Sequence, residues 1–338
     1  MGTLPLLRFT IAGELRRNFI ITPQGKVLLD VPGGSLLYAA IGMAVWETGI
    51  GLIARAGEDY PQEWLDKISR LGFDPRGIHT LPEAVDLRAF LAYLDGDTAT
   101  SENPVSHFAR LGLPYPKALL GFTPPSPQID SRTRPGLLTL RQNDIPNDYL
   151  DVTAAHLCPL DYLSHTLLPA VLRQGQVNTL TLDPGSRYMN PTFWEDIPVL
   201  MNGLTAFLCS EAKLQSLFQG RSTDPWEMAE TLSGYGCEII VIKRGSSGQY
   251  LYNAMNHTRW VIPAYPVQVT DPTGAGDSFC GGFLANYRSS YDPLQAVLAG
   301  NVSAAMVIEG NNPFYALEAL PGLAKARSDA LRDMVRKA

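Results

Sequence analysis

A three-layer α/β/α sandwich carrying a small β lid is the fold predicted for this chain of 338 residues. Three observations lead there. Short apolar runs alternate with longer stretches of helical length; several of the runs end in Gly, Pro or Asp; and a glycine-rich turn joins one run to a helix-like segment late in the chain. Apolar runs without alternation suit strands of a parallel sheet buried on both faces. Helices between such strands cover its two sides.

In chain order, "LLRFTIAG" reads as a first strand, with its arginines after the apolar patch rather than before it as in a secretory signal. Residues 14–32 alternate apolar and polar around a Pro-Gln-Gly turn, which predicts a hairpin outside the main sheet. With part of residues 90–125 it forms the lid of an otherwise single domain spanning 1–338. Further strands are "TGIGLIARAG", "AAHLCPL", "VNTLTLDPG", "LTAFLCS" and "CEIIVIKRG". Between them "SLLYAAIGMAVWETG", "PQEWLDKISRLG", "DYLSHTLLPAVLRQG" and "DPWEMAETLSGYG" have helical length, each closing on a C-cap glycine. The stretch "GLPYPKALLGFTPPSPQIDSRTRPG" holds too much proline for regular structure. The basic tail "LAKARSDALRDMVRKA" reads as a solvated terminal helix.

Composition narrows the function. The formal charge of −6 comes with no basic tract, which excludes nucleic acid as a partner, and no run of about 18 apolar residues marks a membrane span. Cys158, Cys209, Cys237 and Cys280 lie far apart, as buried thiols of a cytoplasmic protein do. The five histidines lack metal spacing, and exposed arginines such as Arg16 and Arg17 are ordinary on a hairpin. A small soluble ligand fits these properties.

The segment "VQVTDPTGAGDSFCGGFLANY" reads as strand, tight turn and helix, with Phe279, Phe283 and Tyr287 on one face. Gly274 and Gly276 let a ligand approach the backbone, and the first amides of the helix attract an anion. A carboxylate in that turn, Asp277, would repel a phosphate unless it has another task. Taking a proton from a hydroxyl that attacks phosphorus is such a task. Gly281 and Gly282, unfavourable inside a helix, point to close backbone packing.

This segment resembles the D-[PT]-x-G-A-G-D signature of the ribokinase-like (PfkB) carbohydrate kinases. The resemblance runs from about residue 7 to 312: "VPGGSLLYAA" is similar to the family's G-G-x-x-x-N segment, "LDPGSR" to its D-x-N-x-R strand end, "LCSEAK" to N-x-x-E, "VIKRGSSG" to the K-x-G nucleotide loop, and "AVLAGNVSAAMVIEG" to the helix flanking adenine. It implies a kinase that moves a phosphoryl group from ATP, with magnesium, to a hydroxyl of a sugar-like or nucleoside-like substrate. Asp277 would be the base, and Gly274, Ala275 and Gly276 the anion hole. Asp271 would sit at a monovalent cation, Lys243, Gly245 and Asn301 would line the nucleotide pocket, and Arg187 would approach phosphate. Gly33 and Gly34 would pass beneath the acceptor, and pairing of lids would give a homodimer.

The chain also departs from the family pattern. Asn18 stands where many relatives have a lid aspartate and Tyr38 where they have asparagine, which leaves bonds to hydroxyls weaker and adds an aromatic face. Ser210 replaces the asparagine of N-x-x-E, and Lys213 falls where the family glutamate assists magnesium through water. Glu211 lies on another face of that helix. A non-catalytic sensor of a sugar or nucleotide is the alternative, although a sensor has little need of a base.

Overall fold

The structure, a computed structural model, describes residues 6–124 and 128–338. Residues 1–5 and 125–127 lie outside it, and with them a corner of the proline-rich stretch and the end of the segment assigned to the lid. In chain order the strands are β1 (Phe9–Ala12), β2 (Arg16–Ile21), β3 (Val27–Gly33), β4 (Ile50–Gly57), β5 (Asp74–Leu81), β6 (Arg88–Tyr93), β7 (Ala99–Thr100), β8 (Ala154–Leu157), β9 (Thr179–Leu182), β10 (Ala206–Ser210), β11 (Ile239–Lys243), β12 (Gln249–Asn253), β13 (Thr258–Ile262) and β14 (Arg336–Lys337).

The main sheet has ten strands in the order β14-β13-β12-β11-β10-β9-β8-β1-β4-β5. From β5 to β11 the neighbours are parallel. These strands bury both faces: along β10, Phe207 and Cys209 enter one core cluster while Ala206 and Leu208 enter the other. Burying one such phenylalanine contributes about 1.5–3 kcal/mol. Helices on both sides complete the three layers.

Three differences from expectation have local causes. The sheet is mixed, because β12 pairs antiparallel with β11, β13 with β12 and β14 with β13. The terminal helix stops at Arg332, and the basic tail instead pairs with β13, Val261 opposite Arg336 and Trp260 opposite Lys337. An unpaired edge strand offers backbone partners that a solvated helical turn does not. β5 was unexpected from sequence, since "DPRGIHTL" contains Pro75 and Gly77; it is tolerated at the other edge of the sheet.

One side of the sheet is built from three helices in close contact, Ser35–Ala44, Ala275–Ser290 and Pro293–Ile308. A Cβ on Gly281 would stand 1.8 Å from the Ala39 carbonyl oxygen, so only glycine permits the crossing. Gly281→Ala is expected to destabilise the chain by about 1–3 kcal/mol by forcing the helices apart, read as a lower urea midpoint at unchanged m-value.

A second sheet, in the order β3-β2-β6-β7, contains the predicted hairpin. Phe19, Ile21, Phe90 and Ala92 on one of its faces pack with Phe108, from the helix Pro104–Arg110, and with Leu119. These residues are therefore covered by the chain itself, while Leu29 of β3 stays exposed. The opposite face bears Asn18 and Tyr93 and meets the main body: the Tyr93 hydroxyl lies 3.0 Å from Thr273 Oγ1, and Gln24 Nε2 donates to the Val269 carbonyl at 2.9 Å.

Candidate active site

Parallel strands deliver their carboxyl ends to one edge of the sheet. There β9 ends before Asp183, β10 ends at Ser210 before the helix Glu211–Leu217, and β11 ends at Lys243. Ser210 and Lys243 are in register across β10 and β11, so residues following these strands converge. The buried carboxylate of Asp183 holds two ammonium groups, Lys213 Nζ at 2.9 Å on Oδ1 and Lys243 Nζ at 2.5 Å on Oδ2. Burial alone would raise the Asp183 pKa, but the two lysines hold it down to about 2. Lys243 in turn is raised: burial acts against its charge, and Asp183 more than offsets this.

Lys243 also donates to the Gly276 carbonyl at 3.2 Å, which fixes the cluster against the glycine-rich turn. The turn itself is tied down. The amides of Thr270 and Asp271 donate to the Ile308 carbonyl at 2.8 and 3.1 Å, and the Thr273 amide donates to Asp271 Oδ1 at 3.0 Å. Gly274 follows with φ of +80°, and a Cβ on it would fall 2.1 Å from the ring of Tyr38. Among the described residues the amides of Gly274, Gly276 and Asp277 have no protein acceptor. The Ala275 amide differs from the sequence expectation, because it bends back to the Pro272 carbonyl at 3.3 Å. The free amides at this helix start are thus those of Gly274, Gly276 and Asp277.

Asp277 occupies the first turn of the helix beside these amides. Its carboxyl is pushed up to about 6, first by burial and then by the charge of Asp183, with Lys243 and Lys213 pulling the other way. No hydrogen bond or ion pair engages its carboxylate among the described residues. A carboxyl of that pKa can accept a proton near neutral pH.

On the far side of the turn lies a cavity of about 330 Å³ lined by Lys243, Gly245, Phe279 and Asn301, with Val267, Ala304 and Ile308 as apolar wall. Asn301 lines it without polar atoms to spare: its Nδ2 donates to Gln249 Oε1 and the Pro263 carbonyl, and its Oδ1 accepts from Tyr265. These bonds hold the wall in place. The rim includes Asp97 from the β6–β7 hairpin, which accepts from the Ser246 amide at 3.2 Å.

Arg187 is not at this cavity. It pairs with Asp130 at 2.9 Å and lines a separate groove of about 580 Å³ with Glu14, Arg16, Arg88 and Arg134. Five residues beyond the end of β9 carry the chain away from the phosphate side, which corrects its assignment to the nucleotide.

The residues expected at the acceptor meet one another. A Cβ on Gly33 would lie 2.0 Å from Asn18 Nδ2, and one on Gly34 (φ +100°) 2.2 Å from the Glu14 carbonyl. Asn18 and Tyr38 are each buried to 3% exposure. Tyr38 therefore offers no open face for stacking on a ring; its ring covers Gly274 instead. Burial, then the charge of Asp271, raises its hydroxyl well above the ordinary range.

The cation expectations separate. Asp271 is buried and raised by that burial, with one oxygen committed to Thr273. No group of three His, Cys, Asp or Glu side chains suited to a metal occurs among the described residues. At the helix position where the family has glutamate, Lys213 points its ammonium at Asp183, so these residues do not fit a magnesium ion held from that helix.

The model of the pfkB family carbohydrate kinases matches residues 146–319, just over half of the 338 residues. The chain belongs to this family. As a pfkB family kinase it is a phosphotransferase with an alcohol group as acceptor. It is similar to the cytidine kinase of Thermococcus kodakarensis, at 26% identity over 90% of this chain and 97% of the relative. Two solved structures share the ribokinase-like α/β fold. An Escherichia coli protein assigned as ribokinase II, solved with ATP and Mg2+, has a TM-score of 0.69 at 17% identity, covering 96% of this chain and 100% of its own. The nucleoside kinase of Burkholderia thailandensis with inosine has 0.67 at 18%, covering 96% and 98%. No helix among the described residues is long and apolar enough to cross a membrane.

Sequence reasoning singled out Asp277 and the glycine turn, read Asp183 only within the strand end "LDPGSR", and did not single out Tyr93 or Asp97. The pairing of Asp183 with Lys213 has a signal in the chain, a basic residue standing where the family has an acid. Which carboxylate it answers is decided only by the register of three strands.

Proposed function

We propose that this pfkB family kinase uses ATP to phosphorylate a hydroxyl of a small nucleoside-like or sugar-like substrate, with Asp277 as base. The supporting observation is the position of its raised, unpaired carboxyl beside three free amides at one helix start. The lone-pair oxygen of the acceptor attacks the terminal phosphorus of ATP while its proton passes to the Asp277 carboxylate. The new O–P bond forms as the bond from that phosphorus to the bridging oxygen breaks, and ADP leaves. The free amides take the charge on the migrating group, and Lys243 lies on the leaving side. ATP fits the cavity beside Gly245 and Phe279. Magnesium arriving with the nucleotide would neutralise phosphate charge when bound, and a monovalent cation at Asp271 would support the turn. The small sheet, tied down through Tyr93 and Gln24, acts as lid and keeps water from the phosphoryl group. The groove beside Glu14 and Arg16 is the approach for the acceptor.

ADP release measured over a panel of nucleosides and sugars with ATP tests this reading. Turnover of at least one acceptor is expected, with kcat/KM falling about tenfold per pH unit below about pH 6, because protonated Asp277 cannot act as base. Binding across the panel without turnover would favour the sensor, and a rate flat down to pH 4.5 would remove Asp277 from the proton transfer.

A further inference from the structure

We infer that Lys213 is a phosphate-binding residue of this kinase, a fixed ammonium that meets the terminal phosphates of the nucleotide where related chains carry an acid. The inference rests on the ATP reading above and adds a residue to it.

The charges show why. Asp183 bears one negative charge and faces two ammonium groups, so the Lys243 contact alone would neutralise it. A second lysine brought to a carboxylate only 3% exposed leaves one positive charge in excess, and uncompensated charge out of water is costly. At rest the ionised Asp277, on which both lysines act, balances that charge; once Asp277 takes up the proton of the acceptor, the balance passes to the phosphates.

The donors agree with the charges. An ammonium has three N–H groups, and Lys213 spends them on two acceptors, Asp183 Oδ1 at 2.9 Å and the Pro184 carbonyl at 2.7 Å. The third is left over on a side chain that retains 20% exposure. Both partners follow β9 at the carboxyl edge of the sheet, so the ammonium is held there. The neighbouring Lys243 Nζ lies 3.5 Å from the place a Cβ on Gly276 would take, beside the unpaired amides. The two lysines are thus joined through Asp183, and Lys243 links the pair to the helix start. A glutamate in place of Lys213 would set a second carboxylate against Asp183 and require a cation between them; lysine makes that cation part of the chain.

Calorimetric titration of the intact protein with adenylyl-imidodiphosphate, in EDTA and in magnesium, tests the inference, with AMP as control. Expected is wild-type binding in EDTA, a loss of about tenfold or more in Lys213→Gln, and retention in Lys213→Arg, since one charge-assisted bond to phosphate is removed or kept. AMP, which lacks the terminal phosphates, should bind wild type and Lys213→Gln alike; this also shows that the variant is folded. Equal binding of the imidodiphosphate to wild type and Lys213→Gln in EDTA would overturn the role of Lys213 and leave the kinase reading standing, as would an equal loss of AMP. If wild type binds no adenine nucleotide under either condition, the ATP reading itself fails, and this inference with it.

Discussion

Asp277→Asn is expected to lower kcat by about 10²- to 10⁴-fold, the range for loss of a general base, and at the same time to make the protein more resistant to urea at pH 7.5. The two effects have one origin. In the folded chain the carboxyl is raised to about 6 by burial and by Asp183, whereas in the unfolded chain it titrates in the ordinary range near 4. Between these values the folded state binds more protons, so stability falls as pH rises from about 4 to about 6. Above that window the ionised carboxylate opposes folding. Asparagine keeps the shape and removes the charge, a gain of about 1–2 kcal/mol after allowance for screening of a partly exposed group. At pH 4, where wild-type Asp277 is protonated in the fold, the gain should shrink towards zero. Urea melts at the two pH values, set beside kcat, check both halves. A residue present only for structure would lose stability on replacement and would show no such pH dependence.

Gly274→Ala is expected to reduce kcat/KM by about 10²- to 10³-fold, comparable to loss of an oxyanion-hole donor. The residue sits at φ +80°, and its new methyl would lie 2.1 Å from the Tyr38 ring. The backbone must therefore turn, which swings the Gly274 and Gly276 amides off the anion position, and stability should fall by about 1–3 kcal/mol. Tyr38→Ala in the same chain separates the causes. It makes room for the methyl but leaves the left-handed backbone strained, so part of the lost stability should return while activity stays low. A double-mutant cycle over the four proteins gives the coupling, which is expected to be non-zero because the two side chains share one space.

What the sequence revealed and what it hid follow one division. Features written in contiguous residues were legible. The run from Val269 to Tyr287 states strand, turn and helix in order, and its glycines are explained by contacts found in the structure: Gly274 against Tyr38 and Gly281 against the Ala39 carbonyl. The hairpin of 14–32 was legible for the same reason. Features that arise when distant segments meet were not. Lys213 pairs with Asp183 across 30 residues, and Tyr93 reaches Thr273 across 180. Arg187 shows the converse. Its motif resemblance pointed to phosphate, but the loop after β9 turns it towards Asp130. Tyr38 also needed coordinates, since an aromatic residue beside a pair of glycines reads as a stacking face until its burial is seen. The tail was misjudged because basic residues suit a helix C-terminus as well as a strand, and only the free edge of β13 decides between them.

The central claim is that the amides opening the helix at Gly274 hold the migrating phosphoryl group while Asp277 receives the proton of the acceptor. A crystal structure with ADP and aluminium fluoride, a mimic of the group in flight, tests it most directly. The prediction is fluorine atoms about 3 Å from the amide nitrogens of Gly274 and Gly276, and the attacking oxygen, from acceptor or water, at a similar distance from the Asp277 carboxylate. Aluminium fluoride seated away from those amides, or Asp277 turned from the attacking oxygen, would contradict it.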